Sequence, residues 1–229
     1  MRGTDMTNTE IKEKAEGARI RSNIYGFLSS MFREEISAER LRQIKEPAIK
    51  EVLTEMGLQY DIFSQKDQDQ LIEDLAVEYA RLFLGPDKHI SPHESVHHQR
   101  DDGDWGTHWG GSTVDVKKFI ETAGLEYKQE YSGMPDHISA ELDFMKEAAG
   151  REAQAIEEKD REGALYCQKM EKKFICDHLI KWIPSFCDKI ISQAKISFYG
   201  DLADVTKKFI TLESEEINQS ISATEGQVN

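Results

Sequence analysis

Five of the seven histidines, His89, His93, His97, His98 and His108, fall between Leu84 and Ser112. Imidazole is the side chain that most readily exchanges a proton near neutrality or ligates a divalent cation. His93 and His97 stand at the spacing of a helical metal pair, but Pro92 breaks a helix there and no HExxH supplies a base. These residues therefore give no metal site, and a metal-dependent hydrolase using this loop is the weakest of the readings considered. Cys167, Cys176 and Cys187 have no CxxC spacing and sit in apolar helical stretches, where the thiolate is disfavoured. No GxSxG elbow occurs, and Gly103 to Gly111 fits neither phosphate-cradling pattern. The residues point to a binding protein without a cofactor, not to an enzyme.

Pro135-Asp136-His137 is the other place where residue types and spacing carry information. Asp136 is placed to cap the next helix, accepting first-turn amides. His137 would then lie in that first turn, where its pKa responds to the carboxylate beside it and to the positive helix end. By local sequence alone, a helix cap followed by a half-buried histidine explains the same residues.

The elements that must position these residues read as helices throughout. Ile20, Ile24, Phe27, Leu28 and Met31 form one apolar stripe in a segment from Ile11 to Phe32. Ser37-Ala38-Glu39 marks a helix start, Pro47 a kink or a fresh helix ending near Gly57, and Asp67 to Phe83 another helix. Leu84 to Ser112 has no periodicity and holds two of the three tryptophans, so it is expected as a long ordered loop. Helix resumes from Thr113 to Ala123, with Gly124 as its C-terminal stop, and again from Asp136. Glu152 to Arg161 is expected as an exposed helix end or a connection. Leu165 to Lys181 comes next, then a helix begun or kinked by Pro184, then a last one from Phe198 to Leu212. The expected fold is all-α: one domain over 1–212, of roughly eight to ten helices in two halves joined by the long loop, with 213–229 a disordered tail.

At 229 residues the chain is long enough to bury a core without disulfides. Its formal charge of -14 argues against nucleic acid and permits a cationic partner. No window approaches the roughly 18 apolar residues that span a bilayer, and Met1 to Glu16 lacks the apolar run of a signal peptide. The cytoplasm is the expected location.

Three separated segments change what the Asp136 turn means. Glu78-Tyr79-Ala80-Arg81-Leu82-Phe83-Leu84-Gly85-Pro86 is followed by Ser91-Pro92-His93-Glu94-Ser95-Val96, and later by Pro135-Asp136-His137-Ile138-Ser139-Ala140-Glu141-Leu142. His178-Leu179 with Trp182, and Phe198-Tyr199 with Leu202, complete the order. Over Ile20 to Phe209 this resembles the TorD/DmsD/NarJ family of redox-enzyme maturation chaperones. The resemblance implies an all-helical protein that binds the twin-arginine signal peptide of a molybdenum-containing oxidoreductase. Such a protein holds the precursor in the cytoplasm until its cofactor is inserted, before export. The alternative within the same resemblance is an assembly factor for the mature subunit, with no signal-peptide role.

Carried onto this sequence, the implied binding residues are Tyr79, Leu82, Phe83, Pro92, Glu94, Ser95, Asp136 and His137, with Gly110 and Ser112 in a later G-x-S segment. His93 stands where family members often have an aromatic residue. Glu78, Glu94, Asp136 and Glu141 could pair with guanidinium groups. Leu82, Phe83, Trp105 and Trp109 could line an apolar groove, with core packing equally open for Leu82 and Phe83. The expected partners are that peptide and its precursor, with no nucleic acid and no membrane insertion. Monomer and domain-swapped dimer both stay open, since the two long loops could act as hinges.

Overall fold

The structure is a computed structural model that describes residues 7–65, 67–85, 89–99, 105–124 and 133–225. Among them are ten α-helices: α1 (Asn8–Arg33), α2 (Ala38–Ile44), α3 (Pro47–Glu55), α4 (Ile62–Gln65), α5 (Gln68–Tyr79), α6 (Gly111–Thr122), α7 (Ile138–Glu157), α8 (Arg161–Phe174), α9 (Ile180–Gln193) and α10 (Ser197–Glu225). The only extended pairings among the described residues are two isolated bridges, His93 with His137 and Gln99 with Trp105. The all-α expectation holds. Pro86, Asp101 to Gly103 and residues 125–132 of the second loop, all named above, lie outside the described residues.

Local chemistry sets the helix ends. Thr7 and Glu10 form a reciprocal capping box at α1, and Ser37 and Asp67 cap α2 and α5. Pro47 occupies the first turn of α3. Gly57 and Gly124 come after α3 and α6 with φ of +108° and +67°, the left-handed stop that costs glycine least.

Two π turns depart from the sequence reading. Ala80–Leu84 extends α5, and Ile175–Leu179 joins α8 to α9. Each π turn accommodates one extra residue and rotates the downstream residues away from their α-helical positions. Pro184, expected to start or kink a helix, lies inside α9.

α1 lies along α7, the most extensive helix pair, while α8 packs on α7 and α10 on α9. Their shared core has Phe83 near its centre. The Phe83 ring lies 4.9 Å from Tyr79, 6.2 Å from Phe186, 6.2 Å from Tyr199 and 6.3 Å from Phe32, measured between centroids. Tyr79, Leu82 and Phe83 are thus core residues, each almost fully buried.

A second buried feature lies where α1, α7, α8 and α10 meet. The Arg21 guanidinium contacts Glu152, Glu171 (3.2 Å) and Glu213 (3.4 Å), and the Tyr25 hydroxyl donates to Glu213 at 3.2 Å. Three carboxylates on one cation leave buried negative charge in excess. Burial first, then the Glu152 charge, pushes the Glu171 carboxyl up to about 8. Glu152 was expected on an exposed stretch and Glu213 in a disordered tail; both are buried, because Arg21 gives each an internal partner. The last helix accordingly continues past Leu212 to Glu225.

No helix among the described residues is long and apolar enough to cross a membrane.

Candidate functional site

The start of α7 and the loop before α6 are knitted together by main-chain bonds. The Glu94 amide donates to the Asp136 carbonyl at 2.9 Å, and the Ile138 amide donates to the Pro92 carbonyl at 2.9 Å. These two bonds flank the His93–His137 bridge. Asp136 adds a third, since its Oδ2 accepts the Ser95 amide at 3.0 Å. Asp136 is therefore not the cap of α7, as expected from sequence. His137 caps that helix, its Nδ1 accepting the Ser139 amide at 3.1 Å, which leaves the ring proton on Nε2. The aspartate is turned instead onto the short 3-10 turn Glu94–Val96.

Behind this turn is a row of buried acids. Glu94 Oε1 accepts from His98 Nε2 and Oε2 from His178 Nδ1, both at 2.9 Å. Burial alone would raise the Glu94 carboxyl, but these two imidazole bonds outweigh it and hold it near 2. Glu141 is fully buried and takes the Trp182 indole N–H on Oε2 at 3.0 Å. Burial first, then the Glu94 charge, drives its carboxyl well above the usual range and so favours the protonated form. Asp136 Oδ1, Glu141 Oε1 and the Ser95 and Thr113 hydroxyl oxygens have no hydrogen-bond partner among the described residues. Such orphaned groups are costly and concentrate where a structure serves something besides its own stability.

The loop is clamped from its other side by Gly106. Its amide donates to the His98 carbonyl at 2.7 Å, and a Cβ there would stand 1.8 Å from the Ser95 carbonyl oxygen. Only glycine allows so close a crossing. A Cβ at Gly110 would lie 3.5 Å from the Ser95 Cβ, so Gly110 also borders this turn. Ser112, half-buried, lies in the first turn of α6.

Outside this clamp the surface is aromatic. His108, exposed, meets the His93 ring at 4.8 Å, and His93 meets His137 at 5.0 Å. His97 Nε2 donates to the Ser91 carbonyl at 2.7 Å, and its Nδ1 accepts from Lys189 at 3.2 Å. Burial holds the imidazoles of His93 and His97 near 4 and that of His137 near 3, so all three are neutral rings at neutral pH. Trp105 and Trp109 are 64% and 70% exposed.

The structure thus gathers Pro92, His93, Glu94, Ser95, Trp105, Gly110, Asp136, His137 and Glu141 around one junction. It places Glu78 elsewhere. That carboxylate makes two 2.7 Å bonds to Arg81 and accepts the Lys195 amide at 2.6 Å, pinning the turn between α9 and α10. Tyr79, Leu82 and Phe83 support the junction from beneath, since Phe83 stacks on Phe186, which lies 5.2 Å from Trp182. Residue-level reasoning missed His98, Trp182 and Gly106 as parts of the junction, along with the Glu94 contact of His178. The spacing of His178 and Trp182, four apart in a helical segment, was the one available signal.

An all-helical bundle that presents an aromatic surface over a buried, only partly satisfied acid–histidine junction has the build of a binding protein. The chain belongs to the nitrate reductase delta subunit family, whose model matches residues 37–188. It is similar to the chaperone protein TorD of Vibrio parahaemolyticus serotype O3:K6 (strain RIMD 2210633), at 26% identity over 206 residues, covering 85% of this chain and 93% of the relative. The TorD chaperone of Photobacterium profundum is 24% identical, with 85% and 92% covered. A solved structure from Archaeoglobus fulgidus, described as a redox enzyme maturation protein, shares the fold with a TM-score of 0.51 at 22% identity, over 83% of this chain and 93% of that one. These relatives are named as maturation chaperones, not as catalysts.

Proposed function

We propose that this chaperone works in the cytoplasm, binds the twin-arginine signal peptide of a molybdenum-containing oxidoreductase, and holds the precursor until its cofactor is inserted. The observation that carries this reading is the His93–His137 junction with the exposed Trp105 and Trp109 beside it. It combines a fixed frame with an uncovered aromatic surface, which is what an extended or helical peptide with an apolar stretch needs. The similarity to curated TorD chaperones supports the same reading, and the formal charge of -14 favours a cationic leader.

Calorimetric titration with a synthetic twin-arginine leader tests it, alongside the client's mature subunit lacking the leader. Saturable binding of the leader is expected. Binding of the mature subunit alone, with none of the leader, would instead establish an assembly factor that ignores the signal peptide.

A further inference from the structure

We propose that the exposed ring faces of Trp105 and Trp109 receive the two guanidinium groups of the leader, while the buried acids only hold the loop that carries these rings. This rests on the signal-peptide reading above and assigns its cationic subsite.

The acids are poor candidates for direct pairing. Asp136 and Glu141 are 0% exposed and Glu94 is 2% exposed. Asp136 Oδ2 is taken by the Ser95 amide, and both Glu94 oxygens by imidazoles. Glu141 is fully buried, accepts the Trp182 indole N–H, and burial disfavours its anion. A guanidinium reaching any of them would lose its water in a buried site, and at Glu94 it would also break an internal bond.

The tryptophans are the reverse case. Both rings lie mostly in solvent, and Trp109 does so with φ of +63°, a left-handed conformation unfavourable for an L-residue. Trp105 already has a cation over its face, the Lys189 ammonium, 5.9 Å from the ring centroid. Guanidinium is planar and less strongly hydrated than ammonium, so it stacks on indole better. His93 and His97 are neutral and add no repulsion to that of the Lys189 ammonium, which shares the Trp105 ring.

The test is a coupling experiment on the full chain. Two synthetic leaders are titrated, one with adjacent arginines before its apolar run and one with glutamines in their place. The proteins are the wild type, W105L/W109L and W105F/W109F. The glutamine leader is expected to bind the wild type about tenfold more weakly, the order set by two cation–π contacts. That difference should vanish in the leucine pair and return in part in the phenylalanine pair. An undiminished arginine preference in the leucine pair would overturn the proposal, as would equal weakening of both leaders, which would make the rings a plain apolar floor. If the wild type binds neither leader, or both alike, the signal-peptide reading itself fails and takes this subsite with it. Both rings are exposed, so the variants should melt with the wild type; that comparison guards against misfolding.

Discussion

Asp136 Oδ2 accepts the Ser95 amide at 3.0 Å, across 41 residues of sequence, and that bond makes the start of α7 and the Glu94–Val96 turn one rigid piece. The acid of the Asp-His pair works on the loop in front of it, not on the helix behind it.

Asp136→Ala should therefore act first on the loop. The Ser95 amide would be left buried without its acceptor, a loss of about 1–3 kcal/mol. Urea denaturation measures the total, and hydrogen exchange should show the Ser95 amide deprotected ahead of those in α1. Unchanged exchange at Ser95 would disprove the pinning role.

Gly106→Ala tests the other side of the clamp. The added methyl would meet a backbone oxygen, the Ser95 carbonyl, at 1.8 Å, and backbone cannot swing aside as a flexible side chain can. A stability loss of about 1–3 kcal/mol is expected from such overpacking. The environment of the neighbouring Trp105 should change as well, read as a shift in its emission.

The helices were legible before the structure because Ser37, Asp67, Pro47, Gly57 and Gly124 each carry a local mechanism for starting or stopping a helix. What stayed hidden depends on long-range partners. Asp136 looked like a cap because its sequence position allows one, and only the packed loop shows that Ser95 claims it. Glu152 and Glu213 read as solvent-facing because carboxylates usually are, yet Arg21 makes both internal. The π turn at Ile175–Leu179 leaves no mark in the spacing, and it is where His178 turns to meet Glu94. The three motifs indicated a common site, but left open that Tyr79, Leu82 and Phe83 serve as its foundation and that Glu78 serves another turn.

Acid should weaken the junction in two stages. His93, His97 and His137 sit near 4, 4 and 3 when folded, below the ordinary 6.5, so between those values only the unfolded chain takes up their protons. Stability from these groups is thus full above about 6.5 and falls as pH drops toward 4. Glu94, held near 2 against an ordinary 4.5, adds a further loss as pH falls through that interval. Denaturation midpoints across this range should decline, and His137→Gln should make the first stage shallower. No change in that slope would rule out His137 as a contributor.

Glu171 predicts the opposite slope at the other end of the molecule. Its folded value near 8 lies above the ordinary 4.5, so the folded state holds a proton that the unfolded chain releases. Its effect favours folding at low pH and diminishes as pH rises from 4.5 to about 8. Glu171→Gln, which cannot ionise, should lose less stability than the wild type between neutral and alkaline pH. Parallel curves for the two proteins would count against a protonated Glu171.

The formal charge of -14 counts every carboxyl group as ionised. Glu171 keeps a proton that composition assigns to the solvent, and burial shifts Glu141 in the same direction. The native chain should therefore migrate in an electric field as a less acidic body than its formula suggests. Unfolding hands that proton to the surrounding buffer, so the measured heat of unfolding should depend on that buffer's own heat of ionisation.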